Sequence, residues 1–492
     1  MADISERESN RGDLLGLSAG QRIPYGGSRW VAVDEDLARD FVAGDRLIVV
    51  HHDGTLVRVP KGVAESVDRA VSRAHRAFAA LVGVSDDRVT DFYERFARAL
   101  EDDTIFAHIA RANEADVERA RASGRAVGRL ALSEKMRSDM IAALRIWRDT
   151  SSSVGEVVER VEHIDWSVTA VSAPLGVVGF VFEGRPNVFA DATGVLRGGN
   201  TAVMRIGSDA LGTAVAIMEH ALGPALVAAG LPEGCVELVA EADRAAGHAL
   251  FSDPRIALAV ARGSGSAVAQ LGAVARQSGA AVSLHGTGGA WMMIDTTVEP
   301  DLVRGCVSAS LDRKVCNTLN VAVLIGRSSA IDEAFLAAVE DAGRRCGARS
   351  RLHVVDDALA DSGRSIDVVA ESSPTVLATE WEWDAAPELS VVRVDSVQRA
   401  IELFNEHSPR FIVSALVSAA DDEEAIYRGC DAPFVGDGFT RWVDGQYALR
   451  RPELGLSNWQ TGRLFARGSI LSGDGVHTIR YRAHTPNPDQ RR

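Results

Sequence analysis

Apolar and polar residues follow two periodicities along the chain, one typical of helices and one typical of strands. Over residues 63–148, apolar residues recur at spacings of three and four among Ala, Arg, Glu and Leu, which predicts a helical region. Upstream, apolar and β-branched residues flank the polar turn at 52–55, which predicts a β-hairpin. We therefore separate residues 1–60, an N-terminal extension of unknown role, from the helices that follow.

Beyond residue 150 the sequence pattern changes to short apolar segments that alternate with helical stretches. This alternation predicts a parallel sheet that is covered by helices on both faces. The predicted strands of the first block span residues 168–182, 200–205, 236–239 and 256–260. A second block, from about 281 to 416, contains a helix leading to Cys316, a strand at 321–325 and helices at 331–345 and 396–406. A further strand is expected at 476–482.

Composition and charge narrow the class of protein. A chain of 492 residues is long enough for two or three domains. Its net charge of -15 argues against nucleic acid or an anionic membrane as a partner, although a local pocket can still be basic. The apolar stretch at 173–182 is too short to span a bilayer, and the polar N-terminus does not look like a signal peptide. We expect a cytoplasmic protein that acts on a small molecule.

The five cysteines are widely spaced and form no CxxC pair, which favours a reducing compartment over a disulfide framework. The tandem His51-His52 has no third or fourth ligand at a useful spacing, so we interpret it as part of a strand end and expect no metal.

Several motifs occur in order along the chain between residues 63 and 482. The central ones are Pro174-Leu175-Gly176-Val177, Glu183-Gly184-Arg185-Pro186-Asn187, Gly199-Asn200 and Arg205-Ile206-Gly207-Ser208. They are followed by KVCN at 314–317, RWVDG at 441–445, ELGLS at 453–457 and ARG at 466–468. Together they resemble the signature of gamma-glutamyl phosphate reductase, a family within the aldehyde dehydrogenase superfamily.

This resemblance implies an α/β, aldehyde-dehydrogenase-like fold with three parts. A Rossmann-type nucleotide-binding domain would span residues 61–280, together with the N-terminal helices. An α/β catalytic domain carrying Cys316 would span 281–460. A small β element, with a C-terminal strand and tail at 461–492, would mediate assembly into a homo-oligomer, a dimer or a tetramer.

Cys316 is the candidate nucleophile. Reduction of an activated acyl group is easier in two steps, in which a thiolate first displaces the leaving group and hydride then reduces the thioester. The pKa of the thiol must be lowered by nearby positive charge or by a helix N-terminus, and Arg313 and Lys314 precede Cys316. A buried structural cysteine is the alternative. The side chain of Asn187 and the backbone N–H of Cys316 are candidate donors to the tetrahedral oxyanion, although Asn187 could also be an ordinary turn residue.

The candidate cofactor site comes from glycine-containing turns that follow strands. Gly207 and Ser208 join a strand to a helix, where backbone N–H groups can bind phosphate. Arg205 resembles the basic residue that the superfamily places near the adenosine ribose. The turn Gly263-Ser264-Gly265 follows another strand. Neither turn is a strict GxGxxG, and the superfamily binds its dinucleotide without that fingerprint. The resemblance implies NADP(H), with NAD as the alternative.

The resemblance implies reduction of L-glutamate 5-phosphate to L-glutamate 5-semialdehyde, with Glu183, Arg185, Arg441 and Asp444 as substrate-binding residues. Gly286 stands where oxidising relatives carry the glutamate base, which favours release of the thioester by phosphate or another nucleophile rather than by water. His285 could substitute as the base, although a lone histidine beside glycines is more often structural.

The chain also departs from the family pattern. Ala290-Trp291 replaces a Cys-His pair, and Asn320 replaces an acidic residue. Two alternatives therefore stay open. One is an oxidative or CoA-acylating aldehyde dehydrogenase acting on another semialdehyde, and the other is a catalytically silent homologue.

Overall fold

The computed structural model describes residues 12–125, 127–128, 130–356, 359, 363–457 and 470–486. The motif at 466–468 and the start of the C-terminal element lie outside these ranges. Within them the chain forms two compact units. The first comprises the residues up to Gly286, Arg451–Gly455 and the residues from Leu471 onward, and the second comprises Thr287–Arg450 and Leu456–Ile470.

Helices and strands alternate along most of the described chain. The strands are β1 (Arg22–Tyr25), β2 (Arg29–Ala32), β3 (Arg46–Val49), β4 (Leu56–Val59), β5 (Val157–Glu162), β6 (Ser167–Pro174), β7 (Val177–Phe182), β8 (Thr201–Ile206), β9 (Val236–Leu238), β10 (Ile256–Arg262), β11 (Ala281–His285), β12 (Ala290–Asp295), β13 (Leu319–Ile325), β14 (Ser350–Val355), β15 (Ile366–Glu371), β16 (Glu388–Val394), β17 (Ile412–Leu416), β18 (Phe434–Gly436), β19 (Glu453–Leu456), β20 (Ile470–Ser472) and β21 (His477–His484). The α-helices are α1 (Glu35–Asp40), α2 (Lys61–Leu81), α3 (Asp86–Glu101), α4 (Asp103–Ala122), α5 (Glu134–Asp149), α6 (Val188–Ala192), α7 (Leu211–Ile217), α8 (Gly223–Ala228), α9 (Ala245–Phe251), α10 (Gly265–Gln277), α11 (Pro300–Ser310), α12 (Ser329–Arg345), α13 (Val397–His407), α14 (Ala420–Gly429) and α15 (Gly445–Ala448).

The first unit is built on a parallel five-stranded sheet in the order β11-β10-β7-β8-β9. Every residue of β7 and of β8 is buried, as expected for apolar strands that are covered on both faces. The predicted helical region resolves into α2 to α5. Strand β11 pairs in parallel with β10, so the first unit extends to Gly286 instead of ending at residue 280.

One helical stretch of the first unit, Ser208–Ala228, is long and apolar enough to cross a membrane by length and composition alone, and it is the one such helix among the described residues. Half of its apolar window is buried inside the protein, and a single helix of this kind is weak evidence for a membrane span.

The second unit is built on a parallel seven-stranded sheet in the order β15-β14-β16-β13-β12-β17-β18. Successive residues of β12 face opposite cores. Met292 and Ile294 pack on the side of α11 and α12, whereas Trp291 and Met293 pack on the side of α13 and α14. This period of two in a strand that is buried on both faces explains its unbroken apolar sequence. The sheet fixes the loop that precedes β13, which carries Cys316.

A small antiparallel sheet in the first unit has the order β21-β6-β5. The predicted strand at 476–482 is found here as β21, paired with β6 along its whole length. The sequence reading missed β5, because all six of its residues are exposed and its Val and Glu positions show no burial alternation.

The N-terminal module, defined here as residues 22–59, contains the hairpins β1–β2 and β3–β4 with α1 between them. Strands β3 and β4 pair antiparallel around the predicted turn at 52–55. The hairpin prediction is therefore confirmed.

Candidate functional site

A cavity of about 550 Å³ lies in the first unit at the carboxyl ends of β7, β8 and β10. Strand β7 is flanked by β8 on one side and by β10 on the other, so the strand order reverses at β7. Ligands of open parallel sheets bind at such a reversal, outside the carboxyl ends of the strands. The lining residues fall mostly in the segments that follow these strands, at 183–185, 207–209 and 262–264, and on α9 and α10.

Two buried polar atoms in this cavity have no partner among the described residues. Arg205 is 7% exposed, and its Nη2 donates to the carbonyls of Ala242 and Asp243 at 3.1 and 3.2 Å, while its Nε makes no hydrogen bond. His248 Nε2 is also without a partner. Burial lowers the pKa of both side chains. A buried donor without a partner is costly, so these atoms indicate a polar ligand.

The structure brings most of the sequence-predicted residues of the first unit to this one cavity. Its lining includes the predicted cofactor residues Arg205, Gly207, Ser208, Gly263 and Ser264. Gly265 begins α10 and is not part of the lining.

Two residues that the sequence assigned to substrate, Glu183 and Arg185, line the same cavity. Asn187 precedes α6 and its side chain makes no hydrogen bond to the helix, so its amide is available for another role. Because Asn187 belongs to the first unit and Cys316 to the second, its role as an oxyanion donor stays a prediction.

In the second unit, Cys316 lies in the loop between α11 and β13, and its side chain is partly exposed. The Gly289 N–H donates to the Cys316 carbonyl at 2.8 Å. The neighbouring Gly288 packs directly on the cysteine, since a Cβ at residue 288 would lie 2.7 Å from Cys316 Cα. Because no side chain fits between these two backbone segments, the 288–289 turn fixes the position of the cysteine.

A buried ion pair supports that turn from the other side. The Lys314 ammonium lies 2.9 Å from Glu380 Oε1, and its side chain is only 4% exposed. The other carboxylate oxygen of Glu380 accepts from the Gly288 N–H at 2.9 Å. We call Lys314, Glu380 and Gly288 the Glu380 bridge. Both carboxylate oxygens are engaged, so the bridge orients the cysteine loop.

Asn320 holds the segment that carries Glu380. Its side-chain nitrogen donates to the Thr379 carbonyl at 2.8 Å, and its oxygen accepts from the Trp381 N–H at 3.0 Å. An acidic residue at this position would lack the donor, so the departure from the family pattern has a structural use here. The other departure, Ala290-Trp291, is fully buried in β12 and belongs to the core.

Arg441 and Asp444, predicted to bind substrate, make contacts within the second unit. Arg441 donates to Asp312 at 2.7 Å and to the side chain of Asn317, the residue after Cys316. Asp444 caps α15 by accepting from the Tyr447 N–H at 2.7 Å. These contacts show that Arg441 holds the cysteine loop and that Asp444 caps α15, and the substrate-binding roles of both residues stay predictions. No group of three or more His, Cys, Asp or Glu residues in the described ranges could hold a metal ion.

A comparison with family models matches residues 46–324 to the model described as the aldehyde dehydrogenase family, which is more than half of the chain. The chain belongs to the aldehyde dehydrogenase family. It is therefore an oxidoreductase. Enzymes of this family act on aldehyde or acyl groups of small molecules and generally use nicotinamide cofactors.

Solved structures of this family share the fold at low sequence identity. A gamma-glutamyl phosphate reductase from Thermotoga maritima is 23% identical, covers 87% of this chain and 100% of its own, and superposes with a TM-score of 0.73. An acetylating aldehyde dehydrogenase from Geobacillus thermoglucosidasius is 15% identical, covers 88% and 99%, and gives 0.62. Lactaldehyde dehydrogenase from Escherichia coli is 16% identical, covers 90% and 97%, and gives 0.59. The predicted aldehyde-dehydrogenase-like α/β fold is confirmed.

Sequence reasoning missed Glu380 and His248. Glu380 contacts Gly288 and Lys314 across 92 and 66 positions, so no local spacing reveals the bridge. His248 lies on a short helix whose other residues are mostly apolar and buried, and only the cavity shows that it faces a ligand site.

Replacing Asn320 by aspartate is expected to loosen the cysteine loop of this aldehyde dehydrogenase. The carboxylate cannot donate to Thr379, and burying it without a donor should lower the free energy of unfolding by roughly 1–3 kcal/mol. Chemical denaturation and the rate of Cys316 labelling by a thiol reagent measure both effects. Asn405→Asp is the matched control, because the side chain of Asn405 also makes one hydrogen bond from its nitrogen and one to its oxygen. Its nitrogen donates to the carbonyl of residue 429, and its oxygen accepts from the N–H of residue 431. Equal labelling in the two variants would contradict the assignment.

Proposed function

We propose that this aldehyde dehydrogenase reduces an acyl phosphate to an aldehyde with NAD(P)H, and that the acyl phosphate is L-glutamate 5-phosphate, as in proline biosynthesis. The product is then L-glutamate 5-semialdehyde, and the reaction passes through a thioacyl intermediate on Cys316.

The construction of the Cys316 loop carries this proposal. The cysteine is partly exposed, its backbone is fixed by the 288–289 turn, and the nearby carboxylate of Glu380 is engaged by Lys314 and the Gly288 N–H. Hydrolysis of a thioester needs a general base that can accept a proton from water. Glu380 is committed to the bridge, and Gly286, which the resemblance puts at the position of the glutamate base of oxidising relatives, carries no side chain. Both observations favour phosphate over water as the group exchanged with the thioacyl intermediate.

In the proposed reaction the Cys316 thiolate attacks the acyl carbon and forms a carbon–sulfur bond. The bond from the acyl carbon to the phosphate oxygen breaks, and inorganic phosphate leaves with the electron pair. The amide of Asn187 and the N–H of Cys316 are the proposed donors to the oxyanion. When the cofactor is bound, its nicotinamide supplies the hydride that converts the thioester to the aldehyde, and Cys316 returns to the thiolate.

The first-unit cavity supports NADP(H) as the cofactor, with NAD as the alternative. The unpartnered Nε of Arg205 and the exposed guanidinium of Arg244 offer two cationic groups for phosphate or ribose oxygens. The turn at 207–209 leads into a helical stretch, whose N–H groups suit a phosphate. Glu183 and Arg185 line the same cavity, so their proposed contact with substrate requires that the substrate extends into it.

We also propose that the protein is a cytoplasmic homo-oligomer that assembles through the β21-β6-β5 sheet. Strand β5 exposes Val157, Val158 and Val161 to 62%, 57% and 42%, an apolar set that a second copy could cover. Light scattering tests this idea, since a dimer or tetramer should give two or four times the mass of the chain and a monomer would contradict it.

The decisive experiment follows nicotinamide absorbance in the oxidative direction with L-glutamate 5-semialdehyde, with and without inorganic phosphate, for NADP and NAD in turn. Phosphate-dependent reduction of one cofactor is the expected result and identifies that cofactor. Turnover without phosphate, or with coenzyme A in its place, would favour an oxidative or CoA-acylating enzyme. No turnover with this or other semialdehydes would contradict the proposal and favour a catalytically silent homologue.

A further inference from the structure

The N-terminal module is attached to the helix that forms one wall of the cavity. At the end of α10, the side chain of Gln277 donates to the Val49 carbonyl and accepts from the His51 N–H, both at 2.9 Å. Nearer its start, Gln270 donates through Nε2 to Asp53 Oδ2 at 2.8 Å and to Thr55 Oγ1 at 3.2 Å. Gln270 lines the cavity, and Gln277 does not.

The turn that meets Gln270 is held in place by the rest of the module. Gly54 has a φ of +83°, and a Cβ there would lie 2.5 Å from the ring of Tyr25. The Arg29 guanidinium donates to the His51 carbonyl at 3.3 Å. The β1–β2 hairpin thus packs on the β3–β4 turn, so Asp53 and Thr55 meet α10 from a fixed direction.

The charge of Asp53 decides how the Gln270 amide is oriented. Burial raises the pKa of Asp53, but hydrogen bonds from the Thr55 N–H and from Gln270 outweigh it and hold the pKa below the ordinary value. Asp53 is therefore ionised at neutral pH and can only accept hydrogen bonds. Gln270 must turn its NH₂ group toward the module, which leaves its carbonyl oxygen for the cavity. Within the described ranges, no group donates to that oxygen.

We propose that the N-terminal module fixes Gln270 as a hydrogen-bond acceptor for the exocyclic amino group of the adenine ring, an inference that rests on the dinucleotide cofactor proposed above. The cavity wall beside Gln270 includes Val268 and Leu271 of α10 and Gly247 of α9, an apolar surface that suits a flat aromatic base. Adenine presents an NH₂ group at the position where hypoxanthine presents a carbonyl. A fixed amide oxygen accepts a hydrogen bond from the adenine NH₂ group and repels the hypoxanthine carbonyl oxygen.

The test measures dissociation constants for NADPH and for its analogue with hypoxanthine in place of adenine, by fluorescence titration without substrate. The unaltered protein should bind the adenine form about two- to tenfold more tightly, the range for one neutral hydrogen bond. Asp53→Asn should reverse this preference. Its oxygen still accepts from the Thr55 N–H, so its NH₂ group faces Gln270 and turns that amide over. The cavity then presents a donor, which suits hypoxanthine.

Two further variants distinguish recognition of the base by Gln270 from a purely structural role of the N-terminal module. Gln270→Ala should bring the two dissociation constants close together. Gln277→Ala removes contacts between the same helix and the same module, so it should lower the thermal stability and keep the preference for adenine. A preference that survives in Gln270→Ala and Asp53→Asn, or that is lost equally in Gln277→Ala, overturns the inference and leaves the proposed cofactor intact. Failure of the unaltered protein to bind either dinucleotide overturns both.

Discussion

Replacing Cys316 by alanine is expected to lower kcat/KM by at least about a thousandfold, because the loop contains no other thiol for the covalent step. The side chain is partly exposed, so its loss leaves no sealed cavity, and the melting temperature and nucleotide binding should stay unchanged. Steady-state kinetics with L-glutamate 5-semialdehyde, NADP and phosphate measure the loss. Retention of more than a tenth of the activity would contradict the thioacyl mechanism.

The other cysteines provide the controls for this experiment. Burial raises the pKa of Cys235 and of Cys430 to about 12, so both thiols stay protonated at neutral pH. Cys346 is partly exposed like Cys316 but lies at the end of α12, so Cys346→Ala should keep full activity. Thiol labelling of the unaltered protein should be fastest at Cys316. If Cys316 resists labelling while Cys346 reacts, the silent-homologue alternative gains support.

Replacing Gly288 by alanine is expected to lower kcat by about a hundredfold, the cost of displacing a catalytic group by roughly 1 Å. The added Cβ would lie 2.7 Å from Cys316 Cα, 2.8 Å from its carbonyl oxygen and 2.9 Å from its Cβ. Two of these three atoms are backbone atoms, so the clash can be relieved only by moving the 288–289 turn or the cysteine loop. Kinetics at saturating substrate, together with a crystal structure of the variant, measure the displacement.

Gly305→Ala is the matched control for this substitution. Gly305 lies on α11, the helix that leads to the cysteine loop, and an added Cβ there meets nothing within 4 Å. Alanine should leave kcat unchanged and stabilise the helix by about 0.5–1 kcal/mol. If Gly288→Ala retained full activity, the close contact between the turn and the cysteine would not control the reaction.

The sequence was informative where a pattern is local. The hairpin around residues 52–55, the strands that became β7, β8 and β10, and the helices before and after Cys316 follow from residue periodicity, because burial on a sheet or helix leaves a mark every two or three to four positions. The turns that follow β8 and β10 were predicted as the cofactor site from their glycines, and all of their predicted residues except Gly265 line one cavity.

Other features depend on partners that are remote in sequence. An arginine in a polar segment can pair with substrate or with the protein, and only the fold shows that Arg441 meets Asp312 and Asn317. The contacts of the Glu380 carboxylate and the orientation of the Gln270 amide likewise depend on residues that are remote in sequence. The N-terminal extension had no predicted role, since its contact with α10 spans more than 200 positions.

The small sheet of the first unit has a consequence for the order in which the protein is made. Strand β6 pairs on one side with β5, which is made just before it, and on the other with β21, near the end of the chain. The buried Asn200 side chain likewise donates to the Val476 carbonyl across 276 positions. On the ribosome, β6 therefore waits with an open edge while the whole second unit is translated. A chain that stalls before residue 477 exposes that edge to strands of neighbouring nascent chains.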